Sequence, residues 1–325
     1  MKLWAFDRRL KLAVGLMLFA VLLYFIDWRK SIDYIMEIRL GIAVSALFIL
    51  SLNIYVSSYK WKMLLSAQGL NLSLRKLSNC YWISTFFGNY LPTNFGGDVV
   101  RLMMLNELGR SAQVAASIVL ERVTGFIILI GWTVLSLIMR PNYFKAGHLL
   151  PVIWTIVSIG IIAILFLFWF GDKFTALRGF LFKNNSTVVN KISIKIQKMM
   201  DAIAYYRGKK KEILLSLIYS ILFYIIILIF NYLVLISVGS DLSLSEVFFV
   251  TPVIPLVSML PVSLNGIGIS EGAYVIFYSQ AGLQPSEAFA AAVVRRFIHL
   301  TVSLVGGFLW MGKPSKTFSI KNIGN

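Results

Sequence analysis

The sequence predicts an all-α membrane protein that crosses the bilayer several times. It has about six full transmembrane helices plus two broken or re-entrant helical hairpins, arranged as an inverted repeat. Hydrophobic residues make up 58% of the 325 residues and charged residues 14%, and the mean hydropathy is +0.79. Soluble domains average about 45–50% apolar and about 25% charged residues. The apolar runs are long and do not alternate with polar residues, so they favour helices over the strands of a closed barrel.

Six uninterrupted apolar runs are each near the ~20 residues that a helix needs to cross the hydrocarbon layer. They are residues 10–26, 40–57, 113–139, 149–170, 213–238 and 286–312. The first run follows a basic N-terminal segment, as in a secretory signal, but no small-residue cleavage site follows Ile26. We therefore expect it to remain as an uncleaved first helix.

Two further apolar segments, 78–108 and 246–282, are too long and too interrupted for one helix. The first is broken at Asn89–Arg101, which contains a proline, two glycines, an aspartate and an arginine, and the second at Leu260–Gly268. Proline removes a backbone donor and glycine loosens the backbone, so both breaks expose polar groups inside the membrane. Such groups are tolerated only when they are buried in protein or line a wet cavity. Each segment is interpreted as two half-helices, in a re-entrant hairpin or as a pair of short spans.

The distribution of the 31 Lys and Arg residues predicts the orientation. If the N-terminus is cytoplasmic and each broken segment returns to its own side, 23 of them lie inside, five outside and three within the membrane. Cytoplasmic loops carry an excess of basic residues. This pattern predicts a multi-pass protein of the cytoplasmic (inner) cell membrane with both termini inside.

We expect residues 1–312 to form one membrane domain and residues 313–325 a short cytoplasmic tail. The basic loop 171–212 would lie on anionic headgroups or bind a partner. The net charge of +17 is explained by such loops, so no nucleic-acid binding is expected.

The two halves of the chain, about 40–139 and 213–312, repeat the same pattern. In each half a Leu-Pro pair leads to glycines, then to a small-residue run and an arginine. The intervals from Gly109 to Arg122 and from Gly282 to Arg295 are both thirteen residues. By the charge count the halves run in opposite senses, and paired broken segments in such an inverted repeat mark a transporter's substrate site near the midplane.

The candidate substrate-binding residues surround the two breaks and the arginines that follow them. They are Asn94, Gly96, Gly97, Asp98, Arg101, Glu121, Arg122, Asn265, Gly266, Gly268, Glu271, Arg295 and Arg296. A charge at this depth costs about 2.5–3.5 kcal/mol on insertion scales, so such residues usually mark a pathway.

Arg122 and Arg295 are predicted to bind an anionic headgroup, bidentately if it is phosphate. The half-helix that starts near Gly97 or Ile269 adds a positive N-terminal end. The carboxylates would hold those arginines, contact a cationic group or carry a coupling proton. The alternative is a static buried salt-bridge network.

Metal and cofactor chemistry is not expected. Cys80 is the only cysteine, and His148 and His299 are the only histidines. A metal site built on Cys or His is therefore improbable. No Gly-x-x-x-x-Gly-Lys-[Ser/Thr] motif is present, so we expect no nucleotide-driven pumping.

Several segments carry a family resemblance: Ser58 to Leu65, Leu91-Pro92 with Gly96 to Arg101, Ser117 to Arg122, and Pro261 to Glu271. They resemble the lysylphosphatidylglycerol synthase transmembrane (flippase-like) family, which includes the membrane half of the multiple peptide resistance factor. The likeness covers roughly residues 45–312. It implies a lipid-translocating module with motif residues at Asp98, Arg101, Glu121, Arg122 and Glu271. One departure is Ser270, where the family often has arginine.

The leading hypothesis is a flippase-like transporter that moves an anionic phospholipid or lipid-linked headgroup between leaflets. One alternative is a lipid-modifying enzyme such as a phosphatidylglycerol lysyltransferase. In the resembled two-part proteins, however, the transferase is a separate soluble domain. This chain ends thirteen residues after Gly312, so no catalytic residues are expected. A proton-coupled small-solute transporter is the other alternative. A lipid synthase or a second copy of the chain is a possible partner.

Overall fold

The computed structural model describes residues 13, 16–17, 19–24, 26–90, 96–144, 149–170, 199, 201–259 and 263–312. The regular structure within these ranges is helical. The α-helices are α1 (Trp28–Met36), α2 (Leu40–Ala67), α3 (Leu74–Tyr90), α4 (Gly96–Met104), α5 (Ser111–Met139), α6 (Leu149–Phe170), α7 (Lys210–Ser237), α8 (Leu244–Val250), α9 (Val253–Ser258), α10 (Ile269–Gln280) and α11 (Pro285–Met311).

Four helices are long and apolar enough to cross a membrane: α2, α5, α7 and α11. Each has 27 to 29 residues, which at about 1.5 Å per residue exceeds the ~30 Å of a hydrocarbon core. They correspond to four of the six predicted spans, and α6 (Leu149–Phe170) coincides with a fifth. Within the predicted span 10–26 the described residues 13, 16–17 and 19–24 are helical, and the tail 313–325 lies outside the described residues.

Helix α2 is ten residues longer at its C-terminal end than the predicted span 40–57. In the structure Lys60 is turned into the interior, so the helix continues to Ala67 with one buried face. The regular spacing of the buried residues Ser57, Trp61 and Leu64 continues the 3.6-residue period through this region.

Helix α1 is a short helix that the sequence analysis did not predict. The Asp27 side chain caps it by accepting a hydrogen bond from the Lys30 amide at 3.2 Å. On its buried side the Ser31 hydroxyl donates to the Ser286 carbonyl at 3.0 Å, which ties α1 to the start of α11.

Helices α2 and α7 pack along each other in opposite directions. At one end the Arg39 amide donates to the Ser237 carbonyl at 2.8 Å. Further along, Lys60 Nζ donates to Ser220 Oγ at 2.7 Å. Residue numbers that increase along α2 therefore lie beside residue numbers that decrease along α7, so the two helices are antiparallel.

Helix α5 runs parallel to α7. The Thr124 and Ser216 hydroxyls lie 2.8 Å apart, and the rings of Trp132 and Tyr224, eight residues further along each helix, have centroids 5.9 Å apart. The middle of the bundle is thus α2, α5 and α7, with α3 and α11 packed against α2.

The crossing of α3 and α11 is very close because α11 presents two glycines. A Cβ added at Gly306 would lie 2.0 Å from the Trp82 carbonyl oxygen, and one at Gly307 would lie 2.9 Å from the Phe86 ring. Small residues at membrane helix crossings allow backbones to approach in this way.

The end of the predicted loop 171–212 packs beside the C-terminal end of α2. The Tyr206 hydroxyl donates to the Leu64 carbonyl at 2.7 Å, and Gln68 Nε2 donates to the Ala202 carbonyl at 2.9 Å. Burial raises the pKa of the Tyr206 phenol above its ordinary value. Helix α7 begins at Lys210, so the loop is shorter than predicted, and most of it lies outside the described residues.

The first broken segment folds back on itself. Helix α4 has nine residues, or about 14 Å at 1.5 Å per residue, which is too short to cross the bilayer. It packs on α3 so closely that a Cβ at Gly97 would lie 2.6 Å from the Ser84 carbonyl oxygen. The residues that join α3 to α4, 91–95, include Asn94 and the Leu-Pro pair and lie outside the described residues.

The second broken segment has three helical pieces, α8, α9 and α10, where two half-helices were predicted. The additional interruption falls at Thr251-Pro252, since proline has no N–H for the helix and its ring clashes with the preceding turn. The predicted break at Leu260–Gly268 lies between α9 and α10, and its residues 260–262 are outside the described part.

Replacing Gly97 with alanine is expected to lower the stability of the folded protein. The new methyl group cannot avoid the Ser84 carbonyl unless α4 moves away from α3, and such overpacking costs about 1–3 kcal/mol. Thermal melting in detergent measures the effect. The matched control is Gly88→Ala on the same hairpin, where the new Cβ would be 3.8 Å from its nearest neighbour. Equal melting temperatures for the two variants would contradict the close approach.

Candidate functional site

The two breaks in the chain meet. Asn265 Nδ2 donates to the Asn89 carbonyl at 2.9 Å, which links the last turn of α3 to the loop before α10. Asn265 has a left-handed backbone conformation, φ 50° and ψ 29°, which asparagine adopts more readily than most residues. Segments 176 positions apart in the sequence thereby form one region.

Arg101, on α4, is the centre of a buried charge cluster. Its side chain is 2% exposed, and Nη2 donates to Glu121 Oε2 at 2.5 Å. The guanidinium lies over the Trp61 ring at 3.9 Å and the Tyr81 ring at 4.2 Å. Arginine combines ion pairing with stacking on aromatic faces in this way.

Glu121 is held from two sides. It accepts a short hydrogen bond from the Tyr81 hydroxyl as well as the one from Arg101. The Tyr81 hydroxyl in turn accepts from Arg101 Nη1 at 3.2 Å. The carboxylate, the phenol and the guanidinium therefore form a closed set of contacts between α3, α4 and α5.

Arg122 points in another direction and binds Asp98. Its Nε lies 3.1 Å from Asp98 Oδ2 and its Nη2 lies 3.0 Å from Oδ1, a bidentate pair. Asp98 also lies 3.6 Å from Arg101. The Arg122 side chain is 65% exposed. Asp98, Arg101, Glu121 and Arg122 form what we call the α4–α5 cluster.

Glu271, Arg295 and Arg296 form a second set, the α10–α11 cluster. Arg296 Nε donates to Glu271 Oε1 in a short contact, and Glu271 Oε2 accepts from the Gly268 amide at 2.8 Å. The positive end of α10, predicted to receive an anion, is thus occupied by the protein's own carboxylate. Glu271 pairs with Arg296, whereas the sequence analysis expected the carboxylates to hold Arg122 and Arg295.

Arg295 has no carboxylate within 4 Å among the residues that the structure describes. Its Nη1 donates to Ser270 Oγ at 3.2 Å, and its guanidinium lies 5.8 Å from the Tyr274 ring centroid. Its Nε is buried and, within the described part of the chain, makes no hydrogen bond. Ser270, the departure from the family pattern, thus contacts this guanidinium. Arginine cannot lose its proton in a protein, so this buried side chain stays charged, and the Glu271 carboxylate acts on it only from beyond 4 Å.

The structure brings most of the predicted residues together in these two clusters. Gly96 and Gly97 begin α4, and the carbonyl of Gly266 lies 3.4 Å from Arg296 Nη2. Asn94 lies outside the described residues. Among the described residues no ion pair connects the two clusters, and the chain segments beside them meet at the hydrogen bond between Asn265 and Asn89. Their role in substrate binding remains a prediction.

Several residues of the site were not predicted: Lys60, Trp61, Tyr81, Ser220 and Tyr274. Lys60 was counted among the cytoplasmic basic residues, yet it is 5% exposed. Its Nζ donates to the Glu121 carbonyl at 2.9 Å and to Ser220. The continued helical period through Ser57 and Trp61 is the sequence signal that indicates this burial. In the ranges that the structure covers, no three His, Cys, Asp or Glu side chains gather as a metal site would require.

Long apolar helices, two broken segments and buried arginine–carboxylate clusters define a multi-pass α-helical membrane protein. Within that class, the family model for the transmembrane region of lysylphosphatidylglycerol synthase matches residues 9–307, so the chain belongs to that family.

Two curated relatives are described only as UPF0104 membrane proteins. The protein of Methanothermobacter thermautotrophicus is 25% identical over 257 residues, which is 74% of this chain and 75% of the relative. The protein of Pyrococcus horikoshii is 20% identical over 322 residues, 92% of this chain and 95% of the relative. No solved structure matches the chain.

Proposed function

We propose that the protein is a flippase-like transporter that moves an anionic phospholipid or lipid-linked headgroup between the leaflets of the cell membrane. The observation that carries the proposal is the hydrogen bond from Asn265 to the Asn89 carbonyl, because it joins two broken helices into one region inside the membrane. Broken helices that meet within a membrane domain are typical of transporter substrate sites.

An inverted repeat is part of this proposal, and the turns and helix lengths support it. Helices α2 and α7 both have 28 residues and run antiparallel. Each is followed by a left-handed glycine two residues beyond its last residue, Gly69 after α2 and Gly239 after α7. The sequences that begin at these glycines are similar, Gly-Leu-Asn-Leu-Ser-Leu and Gly-Ser-Asp-Leu-Ser-Leu. In both, the serine before the last leucine directly precedes a helix. Left-handed Gly109 and Gly282 then precede α5 and α11.

The ion pairs follow the same proposed correspondence. In each half a carboxylate in the first turn of a half-helix pairs with an arginine on the following long helix, as Asp98–Arg122 and Glu271–Arg296, although the thirteen-residue spacing aligns Arg122 with Arg295, one position before Arg296. With the halves inverted, α4 and α10 would enter from opposite sides as re-entrant hairpins, between six full spans and with both termini cytoplasmic.

Arg295 is the proposed seat of the anion. Its guanidinium is fixed by Ser270 and Tyr274 but has an unbonded, buried Nε. A phosphate oxygen would supply both the missing hydrogen bond and an anion in direct contact with the guanidinium. Arg122 is the second proposed contact because most of its side chain is exposed while Asp98 keeps it extended.

An apolar groove favours a lipid over a hydrophilic solute. It lies between α5 and α7, has a volume of about 450 Å³ and is lined by apolar side chains such as Ile128, Leu135 and Ile225. The groove continues the helix contact that begins at Thr124 and Ser216. An acyl chain would bury apolar surface there, whereas a polar solute would lose its hydration without compensation.

Leaflet exchange of a fluorescent anionic phospholipid in reconstituted vesicles tests the proposal. Arg295→Ala is expected to slow exchange about tenfold or more, since a hydrogen bond to a charged group is worth about 1.5–3 kcal/mol. Arg122→Ala is expected to have a smaller effect in the same direction. The control is Arg75→Ala, an exposed arginine in the first turn of α3.

Equal exchange by the wild type and all three variants would contradict the anion site. Exchange no faster than in protein-free vesicles would contradict transport itself. Formation of aminoacylated lipid by this chain would instead indicate the lipid-modifying alternative.

A further inference from the structure

Lys60 lies where three long helices meet, and the proposed headgroup contacts do not use it. From α2 its ammonium donates to Ser220 Oγ of α7 at 2.7 Å and to the Glu121 carbonyl of α5 at 2.9 Å. A Cβ added at Gly125 would lie 4.0 Å from Nζ, so the backbone of α5 closes the site on that side. In the described part of the chain, no carboxylate oxygen lies within 4 Å of this nitrogen.

The partners of Lys60 fit both protonation states of the side chain. The ammonium form donates to a carbonyl and a hydroxyl, as in the structure. A neutral amine would still donate to the Glu121 carbonyl, and its lone pair could accept from the Ser220 hydroxyl, which now donates to the Ser216 carbonyl at 2.8 Å. A carboxylate partner would have fixed the positive charge, and an arginine could not have lost it.

The charged groups around Lys60 do not neutralise it. Glu121 of α5 is the nearest anion, but its carboxylate already accepts from Arg101 and Tyr81. Arg101 of α4 and Arg122 of α5 are the other charges that act on Lys60, and both repel it. Tyr81 faces the cluster from α3, and α7 contributes only the neutral Ser220 hydroxyl.

We propose that Lys60 carries the proton that couples cargo movement to a proton gradient across the membrane. This inference rests on the proposed transport function. One proton binds the Nζ lone pair from water on one side and leaves to water on the other, so only an N–H bond is formed and broken. The gain and loss of this charge alter the contacts that hold α2, α5 and α7 together.

Exchange of a labelled anionic phospholipid in vesicles with an imposed pH difference tests the coupling. Wild-type exchange is expected to accelerate, by up to about tenfold per pH unit if a single proton is involved. Lys60→Arg, always charged, and Lys60→Met, never charged, are both expected to lose this response. Lys62→Met is the matched control, because Lys62 is on the same helix and only partly buried.

A direct titration of Lys60 separates this inference from the proposed function. In protein with carbon-13 lysine in lipid, the signal absent from Lys60→Arg belongs to Lys60. Its shift is expected to follow pH between about 6 and 9, where a coupling group has to titrate. No shift in that range, or a retained pH response in both variants, would overturn the inference. If the wild type moves no lipid while Lys60 titrates, the cargo assignment fails and the proton site stands.

Discussion

Replacing Glu121 with alanine is expected to be the most destabilising change to a single charge in this protein. Arg101 would remain buried between the Trp61 and Tyr81 rings without its hydrogen-bonded carboxylate, with only Asp98, 3.6 Å away and already paired with Arg122, nearby. Breaking a buried ion pair from one side typically costs about 3–5 kcal/mol, because the remaining charge is uncompensated. We expect a large fall in melting temperature and in the yield of monodisperse protein in detergent. The control is Glu107→Ala, which removes an exposed carboxylate near α4.

The double variant Arg101→Met with Glu121→Leu distinguishes the loss of the ion pair from the loss of side-chain volume. Replacing both partners of a buried pair by apolar residues of similar size is often neutral or stabilising. The double variant is therefore expected to recover most of the melting temperature that Glu121→Ala loses. If the single variant Glu121→Ala were as stable as the Glu107→Ala control, the α4–α5 cluster would not hold the helices together.

Replacing Gly306 with alanine is expected to separate α11 from α3. The added Cβ would lie 2.0 Å from the Trp82 carbonyl oxygen, which belongs to rigid helix backbone. Overpacking costs about 1–3 kcal/mol and more when backbone has to move, so this substitution should exceed Gly97→Ala in effect. Thermal melting in detergent again provides the measurement.

Gly131→Ala is the matched control for Gly306. Gly131 lies inside α5, and a Cβ there would meet no atom within 4 Å. Alanine is favoured over glycine in a helix by up to about 1 kcal/mol, so this variant should melt at or above the wild-type temperature. Similar behaviour of the two variants would mean that the α3–α11 crossing is looser than the structure has it.

The long helices could be predicted because their signal is local. A run of about twenty apolar residues is sufficient to indicate a span, and α2, α5, α7 and α11 were found in this way. The breaks could also be predicted, since proline and glycine in an apolar segment disturb a helix wherever it packs. Helix α1 was missed because a nine-residue amphipathic helix has little apolar character of its own.

The side-chain partners could not be predicted from the sequence. Successive residues on a helix point about 100° apart, so only packing decides whether Arg295 or Arg296 reaches Glu271. The burial of Lys60 could not be predicted for the same reason, because it depends on Ser220, which is 160 residues away in the sequence. Glu121 and Arg122 are adjacent on α5 and therefore point in different directions, and the structure pairs Glu121 with Arg101 and Arg122 with Asp98.

The bond between Asn265 and Asn89 differs in strength from the crossing at Gly306. A neutral hydrogen bond contributes about 0.5–1.5 kcal/mol net, one to three times the thermal energy, so this contact opens and closes readily. The backbone contact of Gly306 with Trp82 has no such freedom. Helix α3 is thus anchored by α11 at Trp82, while its last turn is joined to the second broken segment through the side chain of Asn265.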